Sequence, residues 1–439
     1  MRMSRVLSGI AATGVRLIGH PLFVPLVLAL WIVLRLAVML LVPVAPVSDA
    51  LWYHNAAQSI AQGLGYNRNG VPTAFWPVGY PAFLAAWYWL LGADPGVGQA
   101  ANLLLSVLTF FLVLAIAREV SGNETVARSA VLLLALYPNY IAYPSLLLSE
   151  TLFTTLLLAS VWLYLRYPRR LGIIAIGVLC GAATLVKTQA LLLAPLLVAF
   201  DVVVIARGRE RLAALARGAF VCLIMVATLL PWTYRNYLAL GVPVLVSTNG
   251  GITLLTGNNP SMRPDFRTDF RTDDPLVVSL GHPAGDEIEI DRRAKRLAGE
   301  WVRDNPGRFL ALIPHKVWRL WVPDGEAEWA YQETGPVYEN HRWAYRTIRG
   351  LNQVYYMVML FAILAFPLLY RQGSAGRGGR WIWFGYVFAI LTTLVSIAFS
   401  GQSRYHFPVM ALLVINAAWV WCLVLERMKR GPAQGWASG

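Results

Sequence analysis

Five ionisable side chains lie at or just beyond the ends of long apolar runs: Asp49, Glu150, Lys187, Arg235 and Arg404. A charge in or beside a membrane span costs several kcal/mol unless it is paired or wetted, so each is a functional candidate. One carboxylate near several cations at a membrane face suits a reaction between an anionic, lipid-linked donor and a neutral nucleophile. The carboxylate takes the proton of a hydroxyl, while Lys and Arg hold a phosphate leaving group. Competing structural readings exist for each. Ser48 or Asp49 suits the N-cap of the helix that follows. Lys187 and Arg235 are long enough to snorkel to headgroups. Glu150, after Ser149 at a helix start, complements the dipole. Arg35, inside the first apolar run, needs a partner there and reads as a helix-packing residue.

The elements that must carry these residues follow from composition. The chain is 57% hydrophobic and 14% charged, with 17 Trp, and its mean hydropathy is +0.54. That is too apolar for a soluble globule, and the fold class expected is an all-α polytopic membrane protein. The formal charge of +14 falls mostly in short patches between apolar runs, which is the pattern of membrane orientation and speaks against nucleic acid as a partner. Cys180, Cys222 and Cys422 lie within apolar runs without CxxC or His-rich spacing, so neither a disulfide framework nor a metal site is indicated. His54, His315 and His406 are scattered without ligand spacing. No cofactor and no metal are expected.

In chain order, a basic lead-in (Arg2, Arg5, Arg16) without a cleavage site precedes a span from Leu22 to Val42. The first outer loop, 43–97, carries Asp49 on a short interfacial helix (SDALWYHNAAQSIAQG), a Gly- and Asn-rich loop, and a second interfacial helix, VGYPAFLAAWYWLL, too short to span. Six further spans follow: 99–117, 126–143, 147–165, 171–185, 190–205 and 214–231. Three more, 351–370, 381–399 and 407–425, bring the expectation to ten. Arg118, Arg128, Arg166, Arg169, Arg207, Arg209, Arg217, Arg371, Arg380, Arg427 and Lys429 all fall on one side. By the positive-inside rule that side and both termini are cytoplasmic, which turns the five candidates outward. Asn123-Glu-Thr, a glycosylation-type triplet, then falls on the wrong side for that use. The chain divides into 1–235 with the first seven spans, an outer segment 236–350, and 351–439 with the last three spans and a tail. The outer segment holds TNGGITLLTGNNP, an acidic stretch from Asp265, a helical pattern from Glu287 through Trp301, and FLALIPHKVWRLWV, another interfacial helix. It reads as a small cap over the membrane face.

The order SDALWYHNAAQSIAQGLGY, PTAFWPVGYPAFLAAWYWLLG, LYPNYIAYPSLLLSETLF, LVKTQALLLAPLL, PWTYRNY, STNGGITLLTGNNP, SGQSRYHFPVMALL resembles the bacterial membrane glycosyltransferases of the GT-C class. Nearest are families 39 and 83, related to protein O-mannosyltransferases and aminoarabinose transferases. The resemblance implies that an acid in the first outer loop is the catalytic base, that two interfacial helices flank the active site, and that the donor is a sugar on polyprenyl phosphate. Carried over, Asp49 is the base, while Lys187 and Arg404, with Arg235, bind the donor phosphate. Glu150 matches the acid of the family's S-E pattern, and Tyr53, His54, Trp76, Asn258 and Tyr405 are substrate-binding candidates. Many relatives carry Asp-Glu where this chain has Asp49-Ala50. The expectation is an inverting glycosyltransferase of the bacterial cytoplasmic membrane, its site facing outward and its partners a polyprenyl-phosphate-linked sugar, membrane lipids and an extracytoplasmic acceptor. The rival is a transporter or flippase of a lipid-linked precursor. Transporters show internal repeats and broken spans with midplane polar residues; here no repeat is found and the polar residues collect at one face.

Overall fold

The structure, a computed structural model, describes residues 2–42, 44–167, 170–261, 279–280, 286–323, 331, 335–370 and 377–430. The acidic stretch 265–274, Arg169, Arg371 and the tail lie outside them.

The described chain is helical but for one short hairpin. Seven helical stretches are long and apolar enough to cross a membrane: Phe23–Leu41, Pro95–Ser121, Thr188–Ile205, Glu210–Leu240, Arg342–Leu369, Trp381–Ala398 and Phe407–Lys429. The other three expected spans are also helical but shorter or bent. Glu124–Leu136 and Pro138–Ser145 form a pair bent by 68°; Pro138 removes the amide that would continue the helix. Glu150–Arg166 has 17 residues, and Leu171–Val186 is likewise short. The last span is the hub, 72% of its apolar window being buried within the protein against 17% for Phe23–Leu41 at the rim.

Local sequence explains where these helices stop. Asp94 accepts a hydrogen bond from Gly96 N at 2.7 Å with Pro95 at the first helical position, and Gly122 ends the helix at φ +60°. Asn123 then caps the next helix through Thr125 N and Val126 N, so the triplet Asn123-Glu-Thr is a helix start. The sequence ends this span at Pro231, but in the structure Pro231 lies inside the helix. The helix runs on to Leu240, because a proline costs only one internal hydrogen bond and the outer turns remain free to form. Arg235 therefore sits on the helix, one turn past the proline.

Both expected interfacial helices are present, at Ser48–Ala61 and Gly79–Leu91. Between them Asn67–Arg68 pairs with Val71–Pro72 across Asn69 and Gly70, both at positive φ, the turn that Asn-Gly favours. The helix Ser48–Ala61 has no side-chain cap: its N-cap is Val47, and Ser48 has φ 49°. That corrects the capping reading of Ser48 and Asp49, since the Asp49 carboxylate is engaged elsewhere. Between the seventh and eighth expected spans, Gly250–Gly257 and Glu287–Asp304 pack around Leu255, Leu280, Ile290, Ala294 and Ala298, and Pro306–Trp321 packs Leu312 with Trp301; these are the described part of the expected cap.

Candidate active site

Four charges meet at the ends of separate helices. Asp49 lies in the first turn of Ser48–Ala61, Glu150 begins Glu150–Arg166, Lys187 follows the end of Arg170–Val186, and Arg404 occupies the turn before the last span. The two acids sit at helix starts, where the dipole favours them. Arg404 donates from one terminal nitrogen to Asp49 Oδ2 at 2.8 Å and from Nε to Gln402 Oε1 at 2.9 Å. Lys187 Nζ donates to Glu150 Oε1 at 2.9 Å. The Tyr405 ring stands near both cations, 5.9 Å from Lys187 Nζ and 5.7 Å from the Arg404 guanidinium carbon. One pair is partly open, with Asp49 and Arg404 side chains 18% and 21% exposed; in the other Glu150 is 2% and Lys187 15% exposed.

Tyr53, one turn after Asp49, is buried and packs edge-on against Tyr80 at 5.3 Å and Trp76 at 6.5 Å. Burial first, then the negative charges of Asp49 and Glu150, push its hydroxyl well above the ordinary tyrosine range. It remains a neutral donor. Trp76 closes the aromatic side of the same region.

Three expected site residues lie elsewhere. Arg235 donates to the carbonyls of Thr73 at 2.8 Å and Tyr66 at 2.5 Å, and so fastens the first outer loop. Glu287 holds the same loop from the cap, accepting from Thr73 Oγ1 and Ala74 N. His54 turns to Tyr88, with Nδ1 2.8 Å from the hydroxyl, and burial lowers its pKa. Asn258 is buried under the end of helix Phe384–Ala398. Arg35 is buried in its span, stacked 3.6 Å over Trp31 and donating to the Trp31 carbonyl. Residues that sequence reading passed over are Gln402, which orients Arg404, and Ser149, bonded to Tyr53. Both are uncharged, and although each lies in a stretch that carries the resemblance, neither is singled out there by its own chemistry. Among the described residues no three of His, Cys, Asp and Glu come together as a metal set.

Residues 76–232 match the family model described as dolichyl-phosphate-mannose-protein mannosyltransferase; that segment includes Trp76, Glu150 and Lys187. The oligosaccharyltransferase of Archaeoglobus fulgidus, solved with Zn and sulfate, matches with TM-score 0.52 and 13% identity, over 91% of this chain and 49% of its own. The two share a fold. The oligosaccharyltransferase AglB from Archaeoglobus fulgidus, solved with an inhibitory peptide and a dolichol-phosphate, matches with TM-score 0.51 and 13% identity over 92% of this chain and 50% of its own. The chain spans about half the length of these oligosaccharyltransferase chains. ArnT from Cupriavidus metallidurans, in its apo state, is 15% identical over 93% of this chain and 77% of its own, with TM-score 0.42. No curated protein matches the chain by sequence.

Proposed function

We propose that this chain is a membrane glycosyltransferase that moves a sugar from a polyprenyl-phosphate donor onto the hydroxyl of an extracytoplasmic lipid, glycan or protein, with inversion, at the outer face of a bacterial cytoplasmic membrane. The observation that carries this reading is the contact of Asp49 with Arg404, an acid bound to a cation at the outer ends of helices, with Lys187 close behind. The partial family match, described by its dolichyl-phosphate-mannose donor, and the dolichol-phosphate bound by the archaeal enzyme support the donor class.

The chemistry balances as one displacement. The acceptor hydroxyl gives its proton to the Asp49 carboxylate, its oxygen bonds the anomeric carbon, and the bond from that carbon to the phosphate oxygen breaks. Polyprenyl phosphate leaves with the electron pair and gains negative charge, which Arg404 and Lys187 stabilise. The 2.8 Å contact couples the two events. As Asp49 takes the proton it loses its charge and its hold on Arg404, while the phosphate gains charge and draws the guanidinium. Glu150 holds Lys187 in place. Zinc accompanies the archaeal structure, but here each of the two acids is already matched by a cationic side chain, so the residues do not fit a divalent ion and no step is routed through one.

Donor binding tests the phosphate assignment. Arg404→Ala should weaken polyprenyl-phosphate affinity about tenfold or more, since a charge-assisted contact contributes about 1.5–3 kcal/mol. Arg404→Lys should recover only part, lacking the planar fork. Unchanged affinity in Arg404→Ala removes it from the donor site. Net movement of lipid-linked precursor across vesicles without sugar transfer would favour the transporter reading instead.

A further inference from the structure

Lys316 is a buried lysine, 1% exposed, whose ammonium meets no carboxylate among the described residues. It lies on the cap helix Pro306–Trp321. Its Nζ donates to Asn258 Oδ1 and to the carbonyl of Ile397, both at 2.9 Å, and stands 4.9 Å over the Phe309 ring. Asn258 in turn donates from Nδ2 to the carbonyls of Ala398, at 2.9 Å, and Leu254, at 2.8 Å. Ile397 and Ala398 are the last two residues of helix Phe384–Ala398, whose carbonyls have no partner within the helix. A cation and an amide placed there satisfy both carbonyls and complement the negative end of the dipole.

Backbones close the same junction. A Cβ on Gly257 would fall 1.6 Å from the Phe399 carbonyl oxygen, and one on Gly401 would fall 1.9 Å from the Lys316 carbonyl oxygen. Only glycine admits either approach. The turn 399–403 is thus gripped from both sides by the cap, and the next residue is Arg404. Trp321 Nε1 adds a bond to Thr393 Oγ1 at 3.1 Å, and His406 Nδ1 bonds the Leu320 carbonyl.

We propose that Lys316, together with Asn258, is a positioning residue: by capping helix Phe384–Ala398 it fixes the turn that presents Arg404 to Asp49. The outer segment then does more than cover the membrane face, because it sets the geometry of a site residue on another element. Only the link to donor binding rests on the functional reading above.

Lys316→Met keeps the length and apolar bulk of the stem and removes the ammonium. Two measurements on the full chain in micelles decide the matter: backbone hydrogen exchange of residues 399–405, and the Kd for polyprenyl phosphate. The expected result is exchange in that turn about tenfold faster, confined to it, with affinity weaker by about tenfold, as for loss of one hydrogen bond to a charged group. A merely structural lysine would instead loosen helices Pro306–Trp321 and Phe384–Ala398 along their lengths and leave the Kd of the folded fraction unchanged. Unchanged exchange in 399–405 overturns the proposal, and so does faster exchange with unaltered affinity. If the wild-type chain binds no polyprenyl phosphate, the donor reading fails while the exchange data still decide the positioning role. Should Lys316→Met not fold, Asn258→Ala, which leaves the lysine in place, carries the same comparison.

Discussion

Breaking the Glu150–Lys187 pair has a cost that can be worked from its geometry. At 2.9 Å and an effective dielectric of about 20, two unit charges attract by about 6 kcal/mol, and desolvation offsets a large part of that. A net coupling of about 2–3 kcal/mol is expected, within the range measured for contacting residues. The two single variants should not cost the same. Lys187→Met leaves a carboxylate whose side chain is 2% exposed, whereas Glu150→Gln leaves an ammonium that is 15% exposed and partly wetted. Lys187→Met should therefore be the more destabilising, by about 3–5 kcal/mol as for one partner removed from a buried pair, and the double variant should recover much of the loss. Denaturant-induced unfolding in mixed micelles, read for the wild type, both singles and the double, yields the coupling directly. A coupling below about 0.5 kcal/mol, or Glu150→Gln as the costlier single, would refute this reasoning.

Two further outcomes are expected. Val71→Cys, on the exposed hairpin, should react with an impermeant thiol reagent in intact cells, and Arg209→Cys, in the exposed turn before Glu210–Leu240, only after permeabilisation; reaction of Arg209→Cys from outside overturns the orientation. Burial lowers Lys316 from 10.5 to about 8, so between those values the unfolded chain binds more protons. Stability should then climb with pH across that window, by no more than about 1.4 kcal/mol per unit. Lys316→Met should abolish the climb, and an equal climb in that variant would assign it to other groups.

What was legible in the sequence was the order of elements and the face they share. Apolar runs and basic patches mark the ten expected segments, all helical and seven of them long and apolar enough to span, and the lone acid after the first run marks Asp49. What was not legible was who meets whom. Asp49 and Arg404 are 355 positions apart, and no periodicity or spacing reports a contact at that range. Arg235 is placed by a local feature: Pro231 reads as a helix end, but the helix continues, and the guanidinium is carried to the carbonyls of Thr73 and Tyr66. Asn69-Gly70 is a hairpin signal that a loop reading passed over. Lys316 stood out only as a charge in an aromatic run, which fits an interfacial helix as well as it fits a buried cap. Asn258 is a substrate candidate by resemblance, yet its amide is spent on helix carbonyls.

The central claim is that Asp49 takes the acceptor's proton, and one substitution isolates it. Asp49→Asn keeps the shape and can still accept a hydrogen bond from Arg404 through its amide oxygen, but it cannot serve as a base. With general-base catalysis contributing about 10²- to 10⁴-fold, transfer of sugar from polyprenyl phosphate by the purified variant should fall at least a hundredfold, with its thermal stability within a few degrees of the wild type. A stable Asp49→Asn protein that transfers sugar at the wild-type rate would contradict the account.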